Sequence, residues 1–222
     1  MEEKIEGIFC KEKLARIGTG HTARKTLQKT YWYVEEKSGL FSCWLLSING
    51  EKVGVPETCQ AEEFVTSFFP EFSYPQPKEL TEQDIECIRS FFKMQITYKE
   101  EENAKKLIMT LIELQNHIPI DIGVFLLEIG ALFRKGTLYE VALFCYSHAQ
   151  ELGLDTATLY FNMARVYLDM GKYKECIQHL KEAKQRLTGS SNAIKQLAEY
   201  LQKNNLVPSE SQHDIDDILS VK

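Results

Sequence analysis

Histidine is the side chain best placed to move protons or hold a metal near neutral pH, and the chain has five: His21, His117, His148, His179 and His213. No H-E-x-x-H motif puts two of them on one helix face, and no G-x-S-x-G presents a nucleophile. Glu35 and Glu36 are adjacent, so on a strand they point to opposite faces and cannot serve as an acid–base pair. Six cysteines (Cys10, Cys43, Cys59, Cys87, Cys145 and Cys176) form no C-x-x-C pair, which argues against a zinc ribbon or a thioredoxin-like site. We read them as buried free thiols of a reducing cytosol. Gly18-Thr19-Gly20-His21-Thr22 reads as a flexible turn. A phosphate-cradling P-loop needs its second glycine five residues after the first and a lysine next to it; here the second glycine follows after two. These residues specify no reaction. The chain is expected to be no enzyme and to need no metal and no cofactor.

The remaining chemistry is recognition. The 222 residues are 44% hydrophobic and 26% charged, ordinary values for a globular protein, and the net charge of -6 argues against nucleic-acid binding. The opening MEEKIEGIFCKEK lacks the apolar core of a signal peptide, and no apolar run reaches the ~18 residues of a membrane span. A cytoplasmic protein with no membrane partner is the expectation. Between 11 and 30, six cations (Lys11, Lys13, Arg16, Arg24, Lys25 and Lys29) face the single acid Glu12. This basic leader is read as solvated, with contact to an anionic partner surface as the alternative.

From residue 31 the pattern turns to strands. Tyr31-Trp32-Tyr33-Val34 and Phe41 to Ser47 are aromatic and β-branched, and Ser38-Gly39 makes a turn between them. Asn49-Gly50, a hairpin signal that places both turn residues at positive φ, leads into Lys52 to Val55, closed by Pro56. Three strands need a cover, and 61–69, with Phe64, Val65 and Phe68, supplies a helix. Pro70, Pro75 and Pro77 then mark a linker. Helices follow from Thr81, an N-cap with Asp84 three residues on, and from Glu101 to Asn116, with Pro119 as the stop.

The stretch 122–205 aligns with itself when slid by 34 residues. Leu126, Ile129, Gly130, Phe133, Tyr139, Ala142, Tyr146 and Ala149 fall on Tyr160, Met163, Ala164, Tyr167, Tyr173, Cys176, Leu180 and Ala183, keeping large and small residues in step. A third copy begins at Ile194, Leu197, Ala198 and Leu201 and stops. Two helices per 34 residues is a solenoid signature, in which each unit buries its apolar faces only by stacking.

These residues resemble the tetratricopeptide repeat (TPR) family. Tyr160, Met163, Ala164, Tyr167, Gly171, Tyr173, Cys176, Leu180 and Ala183 stand where its pattern has W, L, G, Y, G, Y, A, F and A. In the first copy the loop glycine, Gly136, comes one residue early, and Leu154 and Thr188 replace the closing prolines. The resemblance implies protein binding on a concave surface made by the first helix of each unit. The groove residues it implies are Leu127, Arg134, Phe161, Asn162, Arg165 and Lys195, with Asp169 beside them. Leu127 and Phe161 occupy positions where the carboxylate-clamp subgroup has Lys and Asn. An amphipathic or acidic helix is therefore the expected ligand. The opening, Gly18-Thr19-Gly20 through Tyr31-Trp32, is similar to that of a group of bacterial TPR proteins without assigned function, which points to a bacterial source. Exposed aromatics permit a homodimer.

The C-terminal residues Ser211-Gln212-x-Asp214-Ile215-Asp216-x-Ile218-Leu219 are similar to the S-Q-x-E-I-D-x-L-L peptide by which flagellar motor switch proteins dock phosphorylated chemotaxis response regulators. The docking side chains would be Ile215, Asp216, Ile218 and Leu219. So short a helix is weak alone and folds on a partner.

The expected fold is thus α+β, mostly α. A small N-terminal domain (1–70) is an antiparallel meander plus helix behind the basic leader. A Pro-rich linker (71–80), a degenerate helical hairpin (81–119), TPR units at 123–156 and 157–190, a capping helix (191–205) and a flexible acidic tail (206–222) follow. The expected function is an adaptor or chaperone that binds a peptide in its groove; the alternative is a chemotaxis or flagellar component docking through 211–219.

Overall fold

Strand formation begins well before Tyr31. In the computed structural model, which describes residues 5–17, 24–77, 79–187 and 192–220, β1 (Glu6–Ile17) and β2 (Arg24–Lys37) run antiparallel from Glu6 opposite Glu35 to Ile17 opposite Arg24. The basic leader is thus largely a β-ribbon. Its outer half buries almost nothing: Leu14 and Leu27, directly opposite each other, are 68% and 58% exposed. The backbone ladder holds it, so no alternation of apolar and polar residues marks it. The Gly18-Thr19-Gly20-His21-Thr22 turn lies outside the described residues.

The chain divides into two compact units, Met1–Asp121 and Ile122–Lys222. In the first, β3 (Leu40–Leu46) and β4 (Lys52–Gln60) extend the sheet, and β5 (Phe69–Pro70) pairs with β1, giving the order β4-β3-β2-β1-β5. β4 continues past Pro56. As an edge strand it can hold a residue that donates no ladder hydrogen bond. The two tight turns exchange their expected geometries. Ser38 and Gly39 both have positive φ, 54° and 79°, whereas at Asn49-Gly50 only Gly50 does, at 81°. The amide of Gly50 donates to the Ser47 carbonyl at 2.9 Å, closing a four-residue turn.

The cover is α1 (Ala61–Ser67), whose Phe64 is the hub of this core. Its ring stacks on Phe41 at 4.2 Å and meets Phe9 at 5.0 Å and Phe91 at 5.8 Å. Phe91 belongs to α2 (Glu82–Tyr98), which begins with a reciprocal Thr81–Asp84 capping box and is followed by α3 (Glu101–Glu113). The proline-rich segment 71–80 therefore lies inside the first unit. The apolar face of α2 completes the sheet's core instead of starting a separate array.

The second unit holds the repeats. α4 (Ile122–Lys135) pairs with α5 (Tyr139–Glu151), and α6 (Ala157–Asp169) with α7 (Tyr173–Gln185). The turns keep the 34-residue period in backbone conformation: Thr137, Gly171 and Asn205 have φ of 63°, 71° and 55°. In the first copy the residue in the left-handed conformation is Thr137, one after Gly136. The glycine has shifted and the turn has not.

The period also continues past its apparent end. After α8 (Asn192–Lys203), residues 212–219 form α9 (Gln212–Leu219), which packs on α7 and α8. Ser211, Ile215 and Ile218 are buried, and they repeat the spacing of Cys176, Leu180 and Ala183, now 35 residues on. The segment read as a flexible tail therefore contains a short second helix that completes a third hairpin with α8. The extra residue in the connection had hidden this match.

Candidate functional site

Three helices of the second unit line a cavity of about 490 Å³. Thr156 caps α6, its hydroxyl accepting from the Leu159 amide at 3.2 Å. From that start Phe161, Arg165 and Leu168 fall at i, i+4 and i+7 on one stripe, with Asp169 beside it, while Leu159, Tyr160, Met163, Ala164 and Val166 are buried. On α8 the stripe Ala193, Gln196, Leu197 and Tyr200 lines the cavity, and Ile194, Ala198 and Leu201 go into the core. Arg134, in the last turn of α4, closes the end.

The lining is apolar with a positive bias. Arg134 Nη1 donates to Asp169 Oδ2 at 2.6 Å, and the Arg134 side chain is only 12% exposed. The Arg165 guanidinium lies 5.8 Å from the Phe161 ring and makes no ion pair among the described residues. Of the two guanidinium groups in the lining, only that of Arg134 is paired with the Asp169 carboxylate among the described residues. Beneath them, Arg134 Nε and the Tyr146 hydroxyl are buried without hydrogen-bond partners among the described residues. Burial pushes the Tyr146 hydroxyl well above its ordinary range, although the charges of Arg134 and Arg165 pull the other way.

Of the six groove residues expected from the sequence, Arg134, Phe161 and Arg165 come together here, with Asp169. Leu127, Asn162 and Lys195 do not line the cavity, and Lys195 instead faces Glu199 at 3.9 Å along α8. Leu168, Leu197 and Tyr200 were missed. Leu168 was recoverable as the residue two turns after Phe161. Leu197 had been assigned to a core position of the third copy, and Tyr200 sits one turn beyond Leu197 on the same stripe.

Behind α6, aromatic stacking joins the two helices of the second repeat. The His179 ring lies parallel to Tyr167 at 5.0 Å and stacks on Tyr160 at 6.2 Å. Arg186 covers the other side of Tyr160 at 4.0 Å and is held by Asp155 and Glu182. Burial lowers the His179 pKa, against the pull of Glu182 and Glu175.

The tail residues lie elsewhere. Ile215 and Ile218 are buried, Leu219 is half-buried, and Asp216 is exposed, accepting from Gln212 Nε2 at 3.1 Å. Lys174 reaches Glu210 at 3.2 Å and Lys181 reaches Asp214 at 2.5 Å. Lys184 donates to the carbonyls of Asp217 and Ser220. No tail residue lines the cavity. The apolar side of this short helix, Ile215 and Ile218, is turned onto the protein itself.

No helix among the described residues is long and apolar enough to cross a membrane. The chain matches no protein-family model, and no curated protein or solved structure similar to it is found.

Proposed function

We propose that the second unit is a protein-interaction module of the TPR type. It binds a peptide or helix carrying an acidic side chain beside apolar ones, and it serves a bacterial cell as a cytoplasmic adaptor or chaperone without enzymatic activity. The supporting observation is the cavity itself. Phe161, Leu168, Leu197 and Tyr200 offer apolar contact, and Arg165, with no ion pair among the described residues, stands among them. At about 490 Å³ the cavity falls within the ordinary range of ligand pockets and has room for side chains of such a ligand. Arg165 would take the ligand's carboxylate, and a fork-shaped donor favours a bidentate pair there.

The test is selection of a random peptide library on the full chain, followed by titration calorimetry of the enriched peptides. Enrichment of sequences with Asp or Glu next to Leu, Ile or Phe is expected. Arg165→Ala and Phe161→Ala should each weaken binding about tenfold or more, the scale of a charged or aromatic anchor. Enriched peptides whose affinity ignores both substitutions would move the binding surface elsewhere.

A further inference from the structure

The face of α7 and α8 beneath the last helix has the makings of a second binding surface, distinct from the groove. Lys174, Lys181 and Lys184 lie along one side of α7 with the buried Ile177 on the same stripe, and α8 contributes Ile194, Ala198 and Leu201 to the adjoining core. Across this face lie residues 209–220, a turn followed by an eight-residue helix, whose chemistry is complementary at several points. Glu210 and Asp214 meet Lys174 and Lys181, and Ile215 and Ile218 enter the apolar strip. Lys184 holds the carbonyls at the helix C-terminus, where a cation is favoured.

Three features make this helix replaceable. It has two turns, too few to be stable in isolation, and it is joined to α8 by only a short connection with Asn205 in the left-handed conformation and Pro208 before the next turn. Its ion pairs are half-exposed, at 67% and 63% for Lys174 and Glu210 and 41% and 32% for Lys181 and Asp214, so salt and solvent weaken them.

We infer that the α7/α8 face is a docking site for an acidic amphipathic helix with two branched aliphatic residues three positions apart, and that residues 209–220 are its resident occupant, which a helix of the same pattern from a partner protein displaces. The groove and this face are separate sites, since no residue of α7 or α9 lines the groove cavity.

The probe is a fluorescein-labelled synthetic peptide of residues 209–220, titrated by anisotropy against two full-length proteins. One is unaltered. The other carries Ile215→Ser and Ile218→Ser, so that its own helix no longer holds the site. The substituted chain should bind the probe about 10²-fold more tightly than the unaltered one, because a tethered competitor acts at an effective concentration of about 1 mM. Adding Lys181→Glu should remove at least about tenfold of that affinity, the scale of a charge-assisted contact. Equal binding by both chains, or no binding by a substituted chain with an unchanged circular dichroism spectrum, overturns the proposal. Amide hydrogen exchange on the unaltered protein decides the matter even if the substituted chain does not fold. Residues 214–219 should exchange at least about tenfold faster than the centre of α7, the mark of local opening. Protection equal to that of α7 means the helix leaves only on global unfolding, and the site is then permanently filled.

Discussion

The ring of Tyr146 lies directly over the backbone of Gly130: a Cβ added at Gly130 would stand 2.4 Å from Tyr146 Cε1. One repeat later the same two places hold Ala164 and Leu180. A large ring is matched with glycine, and a smaller side chain with alanine. Gly130→Ala gains about 1 kcal/mol of helix propensity, yet overpacking of about 1–3 kcal/mol opposes it. At so close an approach to a ring fixed on all sides, we expect the steric cost to win. Gly130→Ala should be destabilised by about 1–2 kcal/mol in urea unfolding. Tyr146→Leu alone should also be destabilising through the space it leaves. The double variant, which copies the second repeat, should recover part of the loss. Strict additivity of the two substitutions would show that the pair is not coupled.

Thr137 and Gly171 occupy equivalent turns with φ of 63° and 71°. A β-branched residue is poorly suited to the left-handed region, at a cost of about 1–2 kcal/mol. Thr137→Gly should therefore raise the unfolding free energy by about 1 kcal/mol, and Gly171→Thr should lower it by a similar amount. Gly136→Ala, one residue past the end of α4 and away from the left-handed position, should be neutral or mildly stabilising. Thermal melts of the three variants check the order. Destabilisation by Thr137→Gly would mean that the threonine side chain matters more to the turn than its backbone conformation does.

The helices of both repeats were legible because each pairs a fixed period with large and small residues at fixed places. Leu126, Ile129, Phe133, Ala142, Tyr146, Ala164, Cys176 and Leu180 are all buried at places that the spacing pairs. The outer ribbon was not legible. Residues 11–15 and 25–30 are held by backbone pairing and none of them is buried, and such pairing leaves no imprint on side-chain type. α9 escaped for another reason. One inserted residue takes Ser211, Ile215 and Ile218 out of the 34-residue register, and the acids between them read as a free tail. In the groove, the resemblance to the TPR pattern pointed to Arg134, Phe161 and Arg165. Tyr200 comes from a helix whose rotation about its own axis only the packing of Ile194, Ala198 and Leu201 determines.

His179 makes part of the stability depend on pH. Its Nδ1 is buried without a hydrogen-bond partner among the described residues, and the ring is stacked on Tyr167. Burial lowers its pKa from an ordinary 6.5, so the unfolded chain binds the proton more readily. The stabilisation is complete above pH 6.5 and is lost as pH falls through the lowered folded value. Unfolding measured between pH 7.5 and the acid range should show a steeper loss for the native chain than for His179→Phe, which keeps a ring and cannot charge. Parallel curves would remove His179 as the cause.

The cysteines should differ sharply in reactivity. Cys87 alone of the six is not fully buried. Burial pushes the thiol of Cys10 up to about 11 and those of Cys43 and Cys176 up to about 12. For Cys43 the neighbouring Cys59, with its Sγ 3.8 Å away, adds to the effect. The thiolate is the reactive form, and access limits it further. At pH 8 a chromogenic disulfide reagent should therefore modify about one thiol per native chain quickly and the others at the rate of unfolding. Cys87→Ser should abolish the fast phase, while guanidinium exposes all of the remaining thiols at once. A fast phase that survives Cys87→Ser would show that one of the other thiols is reached without unfolding. The exposed edge strand β4 would then be the place to look, since it carries Cys59 next to residues that are all open to solvent.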